Sequence, residues 1–363
     1  MATVAVLGTF DTKGDDYAWV AEHLLGFGVH VLMIDVGSFS QSTMADVTSD
    51  EVIAAAGEDA AALRERRNRG ELMRVMGDGA TVVVKKLAAE GKIHGLFSMG
   101  GSGGSSVAAP VMQGLPIGFP KLLISTMASG NVKPYVGEVD TTLMYSVVDV
   151  AGINTVSAQV FENAAAGIAG MAKAYEARQA RSGDDHPPVI GVTMFGVTTP
   201  AADEARQRLT ELGYEVLVFH ATGTGGQAME KLVESHMLAG VLDLTTTELC
   251  DELAGGVLSA GPDRLEMAGR LGTPQVVSLG ALDMVNFGPL DTVPEKYKDR
   301  NLFVHNPTVT LMRTTPEEMA ELGRQIAEKL KAATGPTALY IPLKGVSAIA
   351  VEGGPFYDPA ADV

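Results

Sequence analysis

The feature that most constrains this chain is a β-strand, a glycine-bearing loop and an amphipathic helix, in that order, written out twice. Val4–Leu7 has the apolar, β-branched character of a strand, and Gly8-Thr9-Phe10-Asp11-Thr12-Lys13-Gly14 follows it as a loop. Ala18, Val20, Ala21, Leu24 and Leu25 then recur at core-facing helical spacings. Gly26 and Gly28 close that helix, and Val29–Ile34 forms a second strand ending in Asp35-Val36-Gly37. Setting Gly213 on Gly28 without a gap places Phe195 on Phe10, Leu209 on Leu24, Val216 on Val31 and Val189 on Val4. Further on, Leu238–Leu242 echoes Ile93–Phe97, and Pro274–Ser278 echoes Pro120–Ile124. Identities are few, so the echo supports a shared supersecondary plan more than a proven duplication.

Strands that are apolar throughout suit parallel sheets buried on both faces. Repeated strand–loop–helix order predicts an α/β protein with two Rossmann-like, doubly wound parallel-sheet domains. A length of 363 residues also exceeds what one typical core holds. The expected division is 1–181, a polar, Pro-containing linker 182–188, and 189–363. Between about 38 and 92 the pattern is helical, opened by the capping-box sequence Thr48-Ser49-Asp50-Glu51. A long helix over about 155–180 carries Val160, Phe161, Ala164, Ile168, Met171 and Tyr175 on one broad face. In doubly wound sheets ligands sit beyond the carboxyl ends of the strands. A ligand crevice between the two halves is therefore expected, and the residues just after strands are the ones of interest.

Charge and composition narrow the partners. A formal charge of −17 repels nucleic-acid and anionic lipid surfaces. The densest basic group, Arg64, Arg66, Arg67 and Arg69, alternates with Glu65 and Glu71 and has the pattern of a solvated helix face. No apolar run reaches the roughly 18 residues that span a bilayer, and Met1–Gly8 lacks the basic start of a secretory signal. The single cysteine, Cys250, excludes an intrachain disulfide and points to a reducing, cytoplasmic location. It reads as a buried filler in a helix rather than a nucleophile.

Several loops can carry chemistry. Gly100, Gly101, Ser102, Gly103, Gly104, Ser105 and Ser106 lie between a strand and a short helix, where free N–H groups favour an anion. The run lacks the Gly-Lys-Ser/Thr of a Walker loop and the last glycine of G-x-G-x-x-G. Ser125 and Thr126 end the neighbouring strand and join this nucleotide-binding set. Asp11 and Lys13 admit two readings: a Mg²⁺ carboxylate with a phosphate-neutralising lysine, or a capping aspartate with a solvated lysine at a helix start. In the second half, Glu248 follows Thr245-Thr246-Thr247, and Asp283 and Asn286 follow another strand. These carboxylates are general acid/base candidates, although acids such as Asp251 and Glu252 also complement a helix dipole. His305 and Asn306 precede Pro307 at a further strand end, with Arg313 beyond. His220–Gly226 is a second glycine-rich loop, open to phosphate binding or to simple chain reversal. H-E-x-x-H, C-x-x-C and G-x-S-x-G are all missing, so zincin, zinc-ribbon and α/β-hydrolase readings lack their signatures.

A family resemblance rests on these same residues. The runs Gly8–Gly14, Met99–Ser105, Tyr145–Gly152, Leu244–Leu249, Val285–Pro289, His305–Thr314 and Gly353–Pro359 resemble the ATP-binding domain family named after the tomato mosaic virus resistance protein. The resemblance runs nearly end to end. It implies a two-domain Rossmann-like fold, ATP with Mg²⁺ as cofactors, self-association, and, in plants, fusion to a TIM-barrel domain that many bacteria encode separately. Two departures stand out. Ala201 follows Thr198-Thr199-Pro200 where many relatives carry cysteine, which excludes a cysteine nucleophile there. Relatives also continue beyond the position of Val363, so the last element of one sheet is expected to be missing or disordered here.

Three functional expectations follow. In the first, an ATP-dependent enzyme holds nucleotide on Gly101–Ser106 and Lys13, with Glu248, Asp283, Asn286 and His305 as catalytic groups and Thr246, Thr247, Asn306 and Arg313 binding a small metabolite. In the second, the chain is a nucleotide- or metabolite-binding module that regulates a TIM-barrel protein partner without catalysis. In the third, it is an enzyme acting on an acyl or carboxylate metabolite without ATP.

Overall fold

The computed structural model describes residues 1–181 and 186–362, so the first four residues of the expected linker lie outside the described residues. The chain divides into two compact units, Met1–Asp184 and Asp185–Val363.

The first unit runs β1 (Thr3–Gly8), α1 (Phe10–Gly26), β2 (His30–Asp35), α2 (Ser49–Ala55), α3 (Ala60–Glu65), α4 (Arg69–Ala89), β3 (Gly95–Gly100), α5 (Ser102–Gln113), β4 (Lys121–Ser125), α6 (Lys133–Val136), β5 (Thr142–Tyr145) and α7 (Thr155–Gln179). Its five strands pair in the order β2-β1-β3-β4-β5, all parallel. Strand direction of connection reverses between β1 and β3, which makes the ends of those two strands the topological switch point. Every residue of β3 and β4 is buried, as the apolar strand pattern requires. One face packs Ala5, Leu7, Leu96 and Leu123 against α2, α4 and α5. The other packs Val4, Val6, Phe97 and Leu122 against α1 and α7. Thr48 caps α2 through the expected box, with Glu51 bonding back to its N–H. In α7, Phe161, Ala164 and Ile168 are buried as expected, but Met171 points outward. Ala165, Ala169 and Ala172 complete the packed face instead.

The second unit runs β6 (Val189–Met194), α8 (Thr199–Glu211), β7 (Glu215–His220), α9 (Thr224–Glu234), β8 (Gly240–Thr245), α10 (Thr247–Ala254), α11 (Met267–Leu271), β9 (Gln275–Gly280), β10 (Met284–Phe287), β11 (Leu302–Asn306), β12 (Val309–Arg313), α12 (Pro316–Lys331) and β13 (Thr337–Tyr340). Its parallel sheet, β7-β6-β8-β9-β13, has the same connectivity as the first. Between β9 and β13 it inserts an antiparallel sheet, β10-β12-β11, which strand–helix alternation did not signal. Residues 284–287, expected as a loop after a strand, are therefore a strand themselves.

Strand registers correct the gapless alignment of the halves. Val4 pairs with Gly95 in the first sheet, and Ile190 pairs with Gly240 in the second. Ile190, not Val189, is thus the counterpart of Val4. The helices keep the original spacing, because Gly28 and Gly213 both terminate them with positive φ. One residue of slack lies in the loop between β6 and α8. A one-residue shift exchanges the two faces of a strand, so the register decides which side chains meet which helix.

The candidate functional site

At the switch point of the first unit lies a cavity of about 850 Å³, lined just beyond β1 by Thr9, Asp11, Thr12 and Lys13 and just beyond β3 by Gly101–Gly104. That size falls in the range of roughly 300–1,000 Å³ typical of small-molecule sites. Gly101 is the N-cap of α5 and offers no side-chain cap, so the first N–H groups of this helix point outward without an intrahelical acceptor. A Cβ on Gly103 would stand 3.7 Å from Arg69 Nη2, which places that arginine directly over the loop.

Arg67 and Arg69 line the same cavity, and neither has a carboxylate partner among the described residues. Their neighbours behave differently: Arg64 is paired with Asp50 and Arg66 with Glu58 and Glu71. The basic group expected to be one solvated face is therefore divided, two arginines to surface ion pairs and two to the cavity. Arg67 takes a left-handed backbone (φ 48°) immediately before Asn68 caps α4. Such conformations are uncommon for residues other than glycine and cluster at ligand sites. Only the fold packs α4 against α5, so nothing in the sequence beyond the cluster itself marked these two arginines.

Lys13 leaves helical dihedrals (φ −135°, ψ 27°) and its Nζ donates to the Val150 carbonyl. Asp11 is exposed and does not cap α1. Thr9 holds the N-cap position, and Asp11 Oδ2 accepts from the Phe39 N–H at 3.3 Å. Asp149, close to Val150, is the second carboxylate in the lining. Val36, Phe39, Leu72, Met73 and Val107 add apolar surface to the cavity lining. Ser105 and Ser125 are not part of this surface: they are buried and hydrogen-bonded to each other at 2.6 Å, tying α5 to β4. Gly100 is likewise buried at the end of β3, and Thr126 sits beside Gly101.

The corresponding place in the second unit is filled by the chain itself. Glu248 has no exposed surface. Its Oε1 accepts from the N–H groups of Gly223 (2.7 Å) and Gly226 (3.1 Å), and its Oε2 accepts from Arg264 Nε (2.7 Å). The second glycine-rich loop therefore meets an internal carboxylate where phosphate binding had been one option. Arg264, also buried, reaches Asp243 and Glu230 as well. Thr246 and Thr247 are buried and donate to the carbonyls of Ser278 and Met284.

The remaining candidates are dispersed through the second unit. Asn286 lies on β10, where its Nδ2 donates to Asp251 Oδ2 at 2.7 Å. Burial pushes the Asp251 carboxyl up to about 7 against hydrogen bonds from Asn286 and Leu258 that favour its anion. Asp283 accepts from Ser347 Oγ at 2.7 Å, and burial raises it to about 6. Arg313 donates to the Phe356 carbonyl and pairs with Asp362, pinning the last described residues. His305 is exposed on β11, at the opposite edge of the antiparallel sheet from Asn286. Asn306 accepts from Thr308 in the adjoining turn. The inserted sheet is the reason these groups do not gather at one open surface. Cys250 is buried, its thiol pushed well up by desolvation.

Fold and site together define a two-domain, Rossmann-like α/β protein whose first unit presents a cation-lined cavity at its switch point. The chain belongs to the uncharacterised protein family UPF0261: its N-terminal domain matches residues 2–177 and its C-terminal domain residues 187–363. A UPF0261 protein of Clostridium tetani is 51% identical, over 98% of this chain and 87% of its own length. The ToMV resistance protein Tm-1(GCR237) of Solanum lycopersicum is 40% identical over 99% of this chain, which spans half of that protein. Among solved structures, a UDP-GlcNAc 2-epimerase of Methanocaldococcus jannaschii covers 76% of this chain and 83% of its own at 8% identity and a TM-score of 0.27, too loose a superposition to bear on function. No helix of the described residues is long and apolar enough to cross a membrane.

Proposed function

We propose that the first unit binds the phosphate groups of a nucleotide in the switch-point cavity, with ATP and Mg²⁺ as its ligands. The observation that carries this reading is the convergence of Arg67, Arg69, Lys13 and the uncapped start of α5 on one cavity, in a chain of net charge −17. Cations left without carboxylate partners among the described residues of so acidic a protein are best explained by an anion from outside. The apolar part of the cavity lining suits a ligand with a base or other apolar end. Asp11 and Asp149 fit Mg²⁺, which is commonly held by one or two carboxylates together with substrate phosphates. Calorimetry with ATP and Mg²⁺ tests the reading: saturable binding is expected, and heats no larger than dilution would overturn it.

Within this reading the regulatory alternative gains support from burial. Glu248, Asp283 and Asn286 are enclosed and hydrogen-bonded, leaving His305 as the exposed member of the four catalytic candidates. A binding module acting on a TIM-barrel partner, or on a second copy, needs no such groups at its surface. Phosphate release across a metabolite panel distinguishes the two: steady turnover supports the enzyme, and binding without turnover supports the module.

A further inference from the structure

One aromatic ring in the cation-lined cavity of the first unit is committed to nothing in the protein. Phe39 stands in the loop after β2 and is the one aromatic residue of the cavity lining. With 56% of its surface open to solvent, it alone of the 11 phenylalanines is exposed. Its ring belongs to neither hydrophobic core of this unit and stacks on no other ring among the described residues. A single exposed apolar side chain is ordinary by itself. The backbone beneath this one is not.

The loop that carries Phe39 is fastened at every residue. The Val36 N–H donates to the Gly8 carbonyl at 2.8 Å. The Gly37 N–H donates to Asp35 Oδ1 at 2.9 Å, and the same buried oxygen accepts from the Phe10 N–H at 3.3 Å. The Ser38 carbonyl accepts from Arg64 Nε at 2.7 Å. The Phe39 N–H donates to Asp11 Oδ2 at 3.3 Å, and the Ser40 N–H closes a turn on the Gly37 carbonyl at 3.1 Å. Ser49 Oγ, itself held by Arg64 Nη2, donates to the Ser40 carbonyl at 3.2 Å. Glycine at position 37 lets Asp11 come this close, since a Cβ there would stand 2.6 Å from its carboxyl carbon.

Ordering a backbone costs conformational entropy, and a loop that merely reverses the chain has no need to hold five consecutive residues. Here the backbone is held while the ring it carries is kept out of the core. That is the arrangement of a preorganised contact, in which the ligand finds the ring already in place. The same cavity holds Lys13, Arg67, Arg69 and the uncapped N–H groups of α5. A ligand that satisfies both features joins an anionic group to a flat apolar one.

We propose that Phe39 is the base-stacking platform of this cavity. The site then takes a phosphorylated ligand with a planar heteroaromatic ring, a nucleotide, in preference to inorganic polyphosphate or a phosphorylated aliphatic metabolite. This inference rests on the phosphate reading of the cavity and deepens it by assigning the other end of the ligand. Stacking on an aromatic side chain tolerates any base, because every base has a π-face. A phenyl ring has no hydrogen-bonding group, so Phe39 selects for a base without selecting which one.

Calorimetry of the full chain with ATP and with tripolyphosphate, each with Mg²⁺, separates the two ends of the ligand. Phe39→Ala is expected to shrink the ratio of ATP affinity to tripolyphosphate affinity roughly 5- to 100-fold, the effect of losing one base–aromatic stack. The side chain is exposed, so the variant should fold, which circular dichroism checks. Phe39→Trp keeps an aromatic face and should preserve the ratio. Its added indole emission should be quenched by ATP and not by tripolyphosphate, with the parent's single tryptophan, Trp19, as the blank. An unchanged ratio in Phe39→Ala would overturn the proposal however tightly ATP binds, and so would a Phe39→Trp emission that ATP leaves unmoved. If the parent binds neither ligand, the phosphate reading falls and this inference with it.

Discussion

Glu248 and Arg264 form an ion pair with Oε2 and Nε 2.7 Å apart, and neither side chain has more than 1% of its surface exposed. The same carboxylate closes the N–H groups of Gly223 and Gly226 at the start of α9, so one buried group satisfies a loop, a helix end and a guanidinium. Removing one partner from such a pair leaves the other charged and enclosed, which costs about 3–5 kcal/mol. Glu248→Ala is expected to lower the unfolding free energy of the second unit, read from its denaturant midpoint, by that amount while leaving ATP affinity in the first unchanged. An unaltered midpoint, together with lost turnover, would instead restore Glu248 as a catalytic group.

Arg67 and Arg69 should behave in the opposite way. Both are exposed and, among the described residues, have no carboxylate partner, so truncation removes no ion pair from the fold. Hydrogen bonds to charged groups contribute about 1.5–3 kcal/mol, so Arg69→Ala should weaken ATP binding roughly 10- to 100-fold with little change in thermal midpoint. Calorimetry and thermal unfolding of the same preparation separate these effects.

Two glycines with similar sequence surroundings should respond differently. A Cβ on Gly103 meets Arg69 and Met73 at ordinary contact distances, so Gly103→Ala should fold normally and Gly103→Asp should fold but repel the phosphate ligand. A Cβ on Gly225 would drive into the His220 carbonyl, so Gly225→Ala should be destabilised outright. Circular dichroism melts of the three variants, with ATP titration of the first two, check this.

Asp251 provides a pH test. Its folded-state value of about 7 lies above the ordinary 3.8, so the folded state retains a proton that the unfolded chain releases. This contribution is fully present below the ordinary value and is lost as pH rises through about 7. Asp283, raised to about 6, acts with the same sign. The stability difference between the parent and Asp251→Asn should therefore move against the parent as pH rises from the ordinary value of 3.8 to about 7, read from urea midpoints. A pH-independent difference would show that Asp251 titrates normally.

Sequence by itself determined the local and repetitive part of this protein. Apolar, β-branched runs and glycine-terminated amphipathic helices define both parallel sheets, because those periodicities depend on neighbours a few residues away. They also placed Asp11, Lys13 and Gly101–Gly104 just beyond strand ends, where the cavity lies. Tertiary structure alone decided three things. It inserted β10–β12, whose short antiparallel pairing depends on partners far along the chain and which moved Asn286 from loop to strand. It separated Arg67 and Arg69 from the ion-paired Arg64 and Arg66, a division that depends on where α4 packs. And it closed the second glycine-rich loop on Glu248 while leaving the first open, because a backbone N–H favours any suitably placed carboxylate, and only the fold brings one within 3 Å of Gly223.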